Sequence, residues 1–443
     1  MSDPPVVQYA SRTDVGMRRA ANQDSLTVRL CTEKDEWEQC GHLFAVADGM
    51  GGHSVGDLAS RISVENLPLA YFKQDAESIP QRLKAAIVAA NRAINDKARE
   101  NPEFADMGTT CSTLALSQHG AFVGHVGDSR VYRVRNGTID QLSFDHSLQW
   151  EMVRQGKATI ENVDMLHPRN VITRCLGPDQ NVNIDIEGPF HVQAGDRYVI
   201  CSDGLTGHLS DNEIGAIAES MPPSEAARLM INLANCRGGA DNVTVVAIKV
   251  EKYPTIHGDF VDAPKLQAID TPKPATSSGK GKAILSQASL ILFLMLGTIG
   301  LVLLALKQVP LGLILICPAL ILGFIRLIFV TGRDSDDEEK PPSLTETADM
   351  QLPKRVPSVE SPYRSTSAAV EDRFVEFLAQ AHSELTQAAK ENGWKVDFDA
   401  LNDLHRKAHD AAKRKKPDVS IRMRAKAIDE LMKELYSNTR RGS

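Results

Sequence analysis

The sequence predicts an α+β fold for residues 1 to about 254, on three observations. Short β-like runs are separated by hairpin-like turns, helical patterns stand grouped apart from them, and the composition changes directly after Val250. This is not the strand–helix alternation of a parallel doubly wound sheet. Leu43–Ala47 is a short apolar run that stops at Asp48-Gly49 and reads as a buried strand. A carboxylate there is held at the rim of a core, and glycine at 49 lets the backbone pass close to whatever it binds. Taken alone, the pair is equally a turn. Val64–Phe72 reads as a helix, as does Ile79–Arg99, where Leu83, Ile87, Ala90 and Ile94 fall at helical spacing. Cys111–Leu116, Ala121–Val126 and Arg197–Cys201 read as strands, Ser224–Asn235 as a packed helix, and Val243–Val250 as the last strand.

With 443 residues the chain has room for about two to three domains, and 42% hydrophobic residues supply ample core. A net charge of −7 gives no support for nucleic-acid binding. The seven cysteines are scattered and form no Cys-x-x-Cys pair, which argues for a reducing compartment and against a disulfide framework or a zinc site. Met1–Val15 lacks the features of a signal peptide, so the first domain is expected in the cytosol.

Beyond the first domain (1–254), residues 255–283 are rich in Pro, Ser, Thr, Gly and Lys and read as a flexible linker. Two apolar runs follow, Ile284–Leu306 and Leu311–Val330, each long enough to cross a hydrocarbon core. Lys273, Lys280 and Lys282 precede the first, Arg326 and Arg333 close the second, and the turn between them offers Lys307 alone. That bias places both ends on the cytoplasmic side. The expected location is therefore the cell membrane, with spans at 284–306 and 310–331, the lipid bilayer as a partner, and cytoplasmic N- and C-terminal domains. Residues 332–366, acidic and then Pro/Ser-rich, read as a second linker. Residues 367–443 carry three amphipathic stripes: Val370 to Ala388, closed by Gly393; Leu401 to Ala411; and Ile421 to Leu435. They predict a small C-terminal helical bundle, a candidate surface for a protein partner. His405 and His409 stand four apart, and without a third ligand read as a solvated helix face; Lys413–Lys416 at the end of that helix reads as a charged face or, secondarily, as a contact for anionic lipid or an acidic partner.

Five aspartates of the first domain stand beside small residues at predicted strand ends: Asp24, Asp48, Asp128, Asp203 and Asp241. Each alone has a turn interpretation. Converging, they would repel and desolvate one another, so a shared site needs cations. All-oxygen ligands without His or Cys select Mg²⁺ or Mn²⁺, and carboxylates spread along a chain suit a two-metal cluster that activates water.

The motifs Asp14-Val-Gly-x-x-Arg19-x-x-Asn22-Gln-Asp24, Ala47-Asp48-Gly49-Met50-Gly51-Gly52-His53, Gly108-Thr109-Thr110, Val126-Gly127-Asp128-Ser129-Arg130, Asp145-His146-Ser147, Asn170-Val-Ile-Thr173, Ser202-Asp203-Gly204-Leu205 and Gly239-Ala-Asp241-Asn242 occur in this order. In them residues 8 to 250 resemble the metal-dependent protein serine/threonine phosphatases (the PPM, or type 2C, family) in their prokaryotic form. The resemblance implies an α-β-β-α sandwich of two antiparallel sheets, with two core Mn²⁺ or Mg²⁺ ions in a cleft at one edge and a third, weaker one. It implies that Asp48 bridges the core ions, that Gly49 lends its carbonyl, and that Asp203 and Asp241 complete one shell. Asp24 reaches the other ion through water, and Asp128 with Asp203 holds the third. Arg19 would clamp the substrate phosphate, its plainer reading being a salt bridge with one of the aspartates. The catalytic residues implied are thus Arg19, Asp48 and Asp203, acting on a phosphoserine or phosphothreonine monoester attacked by a bridging water.

Two departures from the family pattern stand out. Met50 occupies the position where many eukaryotic members have the proposed acid histidine, which leaves that role unassigned between a metal-bound water and, more weakly, His53. Gln23 stands where some relatives have Glu. Residues 146 to 180 correspond to the family's flap, a loop beside the cleft suited to choosing substrates. The function expected is a membrane-anchored phosphatase acting on phosphorylated Ser/Thr proteins and opposing a Ser/Thr kinase. The alternative is a catalytically silent phosphatase-like scaffold that binds phosphoproteins, against which the intact aspartate set argues.

Overall fold

The computed structural model describes residues 6–51, 55–73, 78–159, 162–165, 171–253 and 361–439. All of these belong to one compact unit. In chain order it runs β1 (Val6–Asp14), β2 (Asp24–Arg29), α1 (Lys34–Cys40), β3 (His42–Met50), α2 (Val55–Lys73) and α3 (Ile79–Glu100). There follow β4 (Gly108–Thr109), β5 (Cys111–Ser117), β6 (Gly120–Val126), β7 (Arg130–Arg135), β8 (Thr138–Gln141), α4 (Leu148–Arg154), β9 (Asp185–Phe190) and β10 (Arg197–Cys201). The remainder is α5 (Asp203–Thr206), α6 (Asp211–Ser220), α7 (Pro223–Cys236), β11 (Val243–Lys252), β12 (Arg364–Ser367), α8 (Asp372–Glu391), α9 (Phe398–Lys413) and α10 (Pro417–Thr439).

Two antiparallel sheets, β1-β11-β10-β7-β8-β12 and β2-β3-β5-β6-β9 with β4 beside β3, are flanked by helices, as the sequence predicts. Strand β3 shows why its run is continuously apolar. Phe44 and Val46 enter the core between the sheets, with Leu114, Tyr198 and Val246. Leu43 and Ala45 face the other way, into the core under α2 and α3 with Leu67, Leu83 and Ile87. A strand covered on both faces needs apolar side chains at every position, not at every second one. Helix α2 begins well before the predicted Val64, since its first half packs through small residues, Gly56, Ala59, Ser60 and Ser63, that make no apolar stripe.

The structure draws the C-terminal boundary differently from the sequence. Residues 364–367, at the end of the expected linker and the start of the expected bundle, form β12 and pair with β8 in antiparallel register, Arg364 opposite Gln141 and Ser367 opposite Thr138. The stripes of α8 and α10 are buried on α6 and α7, where Phe374, Leu378, Ile421 and Ile428 share one core with Ile214, Leu229 and Met230. Arg228–Asp429 at 2.7 Å and Arg422–Glu225 at 3.2 Å flank that contact. The second stripe, on α9, closes over α10 through Leu401, Ala427 and Leu431. Gly393, at φ +62°, follows the end of α8 as expected of a C-terminal cap.

The cell-membrane location requires correction. No helix among the described residues is long and apolar enough to cross a membrane. The long helices α2, α3, α8 and α10 each carry charged residues along their length, and α3 and α8 are strongly amphipathic. Both expected spans, 284–306 and 310–331, lie outside the described residues.

The flap's helix α4 is capped by Ser147, whose hydroxyl accepts from the Trp150 amide. Its ionic scaffold centres on Asp185 of β9. His146 Nε2 lies 2.9 Å from Asp185 Oδ2, and Arg174 Nη1 lies 3.0 Å from Oδ1. The Gly127 amide donates to His146 Nδ1, so the ring proton sits on Nε2 and the bond to Asp185 is made by a neutral imidazole. Burial lowers the His146 pKa, in keeping with that tautomer. Burial alone would raise the Asp185 carboxyl, but the hydrogen bond from His146 and the nearby positive charge outweigh it and hold the group down at about 2.

Two outcomes are expected. A Cβ at residue 49 would sit 2.0 Å from the Gly56 carbonyl and 2.6 Å from that of Gln23. The glycine therefore admits the chain's own backbone, and Gly49→Ala should cost about 3 kcal/mol in denaturant unfolding. Asp185→Asn should cost roughly 1–3 kcal/mol at neutral pH. Because the folded pKa lies below the ordinary 3.8, that stabilisation is complete above 3.8 and is lost as pH falls through about 2. The melting-temperature gap between variant and wild type should therefore close over the same range.

Candidate active site

The strand ends meet at one edge of the sandwich. Asp24 opens β2 directly opposite Asp48 near the end of β3, a pairing of like charges that cross-strand geometry ordinarily avoids. Asp203 opens α5 after β10, and Asp241 sits just before β11. Asp128 lies in the turn between β6 and β7, where the Thr110 hydroxyl meets that of Ser129 at 2.8 Å. A cleft of about 190 Å³ is lined by Asp128, Asp203 and Asp241 with Arg130, Asp145 and His208.

Electrostatics show that these carboxylates share one site. Burial pushes the Asp24 carboxyl up to about 7, with the charges of Asp203 and Asp241 adding to it against hydrogen bonds from Thr244 and Ser202. Burial also raises Asp48 well above the usual range, reinforced by Asp24, Asp203, Asp128 and Asp241 in turn. Asp128 is raised by burial and by Asp203, and Asp203 by burial and by Asp241. Every one of the five predicted carboxylates is therefore within electrical reach of another. Asp24 Oδ1 and Asp128 Oδ1 are buried without a hydrogen-bond partner.

No three His, Cys, Asp or Glu side chains among the described residues already stand as a ready cage for one metal ion. Hard divalent ions do not need one, since they keep several waters and take one or two carboxylates each. Buried carboxylates that raise one another, two of them with idle oxygens, fit such ions and leave nothing for a soft metal. Gly49 enters by its backbone alone, directly after Asp48.

Arg19 sits on the loop between β1 and β2, half exposed, with Nη2 at 2.8 Å from Asp241 Oδ2. The structure thus places it on an aspartate, the plainer of its two sequence readings, in a pair exposed enough to hold it only weakly. That loop is tied to the Asp241 loop by Asn242. The Asn242 side chain donates to the carbonyls of Val15 and Ala21 at 2.9 and 3.0 Å and accepts from the Gln23 amide at 2.8 Å. Gly16 makes the approach possible. It has φ +80°, and a Cβ there would lie 2.2 Å from the Asp241 carbonyl.

Several site residues had no assigned role in the sequence reading. Ser202 Oγ donates to Asp24 Oδ2 at 2.8 Å and accepts from the Thr244 amide at 2.9 Å, coupling two strands to one carboxylate. Arg130 binds both oxygens of Asp145 through Nε, at 3.1 and 2.8 Å, and closes the far wall of the cleft. His208 lines the cleft beside Asp203, its Nδ1 at 2.9 Å from the Gly204 carbonyl. Ser202 and Arg130 lie inside motifs already quoted, so the signal was present without a role. His208 has no such signal. His53 lies outside the described residues, and His405 and His409 stand on α9, remote from the aspartates in sequence and element.

Comparison with known proteins places the chain among its relatives. The protein phosphatase 2C profile matches residues 17–236. The chain is 37% identical over 245 residues to the serine/threonine phosphatase stp of Listeria monocytogenes, a match covering 54% of this chain and 94% of that protein. It is 31% identical over 289 residues to the serine/threonine protein phosphatase PstP of Mycobacterium tuberculosis, covering 65% of this chain and 54% of that one. Among solved structures, the serine/threonine phosphatase Stp1 of Staphylococcus aureus aligns with TM-score 0.50 at 27% identity, over 57% of this chain and 98% of that chain. With the Listeria phosphatase covered almost end to end at 37% identity and the aspartates gathered at one sheet edge, the chain belongs to the protein phosphatase 2C family of metal-dependent serine/threonine phosphatases.

Proposed function

We propose that the cleft at the sheet edge hydrolyses phosphoserine and phosphothreonine in proteins, with Asp48 and Asp203 as its central catalytic carboxylates and Arg19 as its phosphate clamp. The observation that supports this most is the convergence of five aspartates from separate strand ends, where burial and mutual charge raise Asp24, Asp48, Asp128 and Asp203 together. Asp48, the Gly49 carbonyl, Asp203 and Asp241 would hold one part of a two-ion Mn²⁺ or Mg²⁺ centre, with Asp24 on its other side and Asp128 at a third, weaker position. Bound there, divalent ions supply charge neutralisation for the phosphate and a water of lowered pKa.

The chain's own residues do the rest. Asp24 is oriented by Ser202, so its oxygens are fixed before any ligand arrives. Arg19 is half exposed and pairs with Asp241, and its guanidinium fork can turn to two phosphate oxygens at little cost. Arg130 and Asp145 form a neutral, rigid wall that keeps the cleft open beside Asp128. The Ser147 and Gln149 side chains face the same cleft from the flap, where a substrate's peptide would lie. A Ser/Thr kinase acting on the same proteins is the partner this activity implies.

The test is phosphate release from a phosphothreonine peptide by the full chain, with Mn²⁺ and with EDTA. Release should require the metal, and Asp48→Asn or Asp203→Asn should each lower kcat by on the order of a thousandfold, the scale of a Lewis-acid contact. A folded wild-type chain that releases no phosphate at any Mn²⁺ concentration would sink the proposal.

A further inference from the structure

The flap helix α4 has two faces with different partners. Ser147 and Gln149 line the cleft. Trp150 and Val153 turn away from it into a separate small core with Phe144 and Val163, and the residue that completes this core is Tyr363, from the C-terminal segment. Phe144 is its hinge, meeting Trp150 edge-on at 5.2 Å and Tyr363 edge-on at 5.3 Å. The Tyr363 hydroxyl bonds Glu187 of β9, the strand that also carries Asp185.

Arg364 extends the contact to the cleft wall. Its Nη1 lies 3.2 Å from Asp211 Oδ2, and its guanidinium lies 5.4 Å from the Trp150 ring centre. Asp211 Oδ1 accepts from the Tyr132 hydroxyl at 2.8 Å and stands 3.5 Å from Arg130 Nη1. Arg130, 5.9 Å from the same Trp150 ring, is the residue that holds Asp145 at the cleft. The backbone of this segment is pinned independently: the Tyr363 amide donates to the Gln141 carbonyl at 2.9 Å, and the Gln141 side chain donates to Asp145 Oδ1 at 2.8 Å. Ser361 Oγ donates to the Leu142 carbonyl at 3.0 Å, and Asn212 to that of Ser367 at 2.6 Å.

We infer that residues 361–367 are a strap that positions the flap and the Arg130–Asp145 wall for phosphoprotein substrates, with Tyr363 and Arg364 as its positioning residues. Neither reaches the aspartate cluster. They act through Trp150, whose other helix face is the cleft lining, and through Asp211 to Arg130. Trp150 has a guanidinium within cation–π reach from each side of the chain, Arg130 from the first domain and Arg364 from the strap, and one carboxylate, Asp211, anchors both. Withdrawing Arg364 would leave Asp211 shared by fewer donors and Trp150 without that contact, so α4 would lose its fixed angle while the sheets stayed intact. Substrate specificity in this chain therefore depends on a segment outside the residues that match its family.

This inference rests on the cleft being the active site, and its experiment separates the two. In the full chain, amide hydrogen exchange over residues 148–155 is measured together with kcat and KM for a phosphothreonine peptide. The Tyr363→Ala/Arg364→Ala double variant should exchange at least about tenfold faster across α4 while the β3 and β5 amides stay at wild-type rates, and its KM should rise about tenfold with a much smaller change in kcat. Tyr363→Phe, which keeps the ring, should retain wild-type exchange. Arg364→Lys keeps the charge for Asp211 but not the flat face on Trp150, and should show an intermediate KM; it decides the matter if the double variant does not fold. Exchange over α4 and KM both unchanged in a folded double variant would overturn the strap, as would uniform acceleration of every amide. If the wild type hydrolyses nothing yet the double variant still frees α4, the strap stands and the cleft's assignment falls.

Discussion

Repulsion among buried carboxylates is the constraint on which the rest of this structure depends. The Asp24–Asp48 pairing puts two like charges directly across a strand pair at the edge of a core. Asp203 and Asp241 add to it from the second sheet, and burial of Asp24, Asp48 and Asp203 withholds much of the water that would screen the charge. A site like this survives only if its surroundings fix it by more contacts than the repulsion can break. Both sheets supply them: Phe44 and Val46 anchor β3, Val246 and Ile248 anchor β11, and Asn242 ties the loops between. On the proposed reading, stability is given up locally so that these oxygen atoms can meet a cation and, through it, a phosphate.

The C-terminal residues enter this economy from outside the family region. Strand β12 covers the edge of β8, which would otherwise offer unpaired backbone groups, and α8 and α10 bury apolar surface on α6 and α7. One consequence is architectural, since the sheet that carries Asp203 and Asp241 at its far strands ends in a segment contributed from beyond residue 360. The other is functional, since the same segment reaches the back of the flap helix. A cleft whose chemistry belongs to strand ends thus has its substrate-facing wall set by a second, independent piece of chain.

Much of the site was legible in the sequence because each aspartate follows or precedes a run whose strand character is unmistakable. Ala121–Val126 and Arg197–Cys201 recur in the structure within a residue of their predicted ends, and Leu43–Ala47 lies inside a strand that runs on through the aspartate to Met50. What could not be read is polar and non-local. Arg364-Ser-Thr-Ser367 has no apolar alternation, and only the waiting edge of β8 makes it a strand. Asp211 stands on α6 and Arg130 and Tyr132 on β7, and their connection shows only once the two elements pack. Gly49 reads in the sequence as room for a ligand; that its missing Cβ also admits the backbone of Gly56 and Gln23 shows only in the packed chain. The membrane location rested on hydropathy of stretches outside the described residues, and the described helices are amphipathic because they cover sheets and one another.

The central claim is that the fold holds carboxylates together against their own repulsion so that divalent cations complete them. Thermal unfolding of the full chain, wild type and Asp48→Asn, each with EDTA and with Mn²⁺, tests it most directly. The expected pattern is a crossover: without metal the variant melts higher than the wild type, because one repelling charge is gone. With Mn²⁺ the wild type rises above it, because the ions bind the folded state alone. A wild type that melts higher than Asp48→Asn in EDTA and does not respond to Mn²⁺ would contradict it, and would make Asp48 an ordinary structural carboxylate.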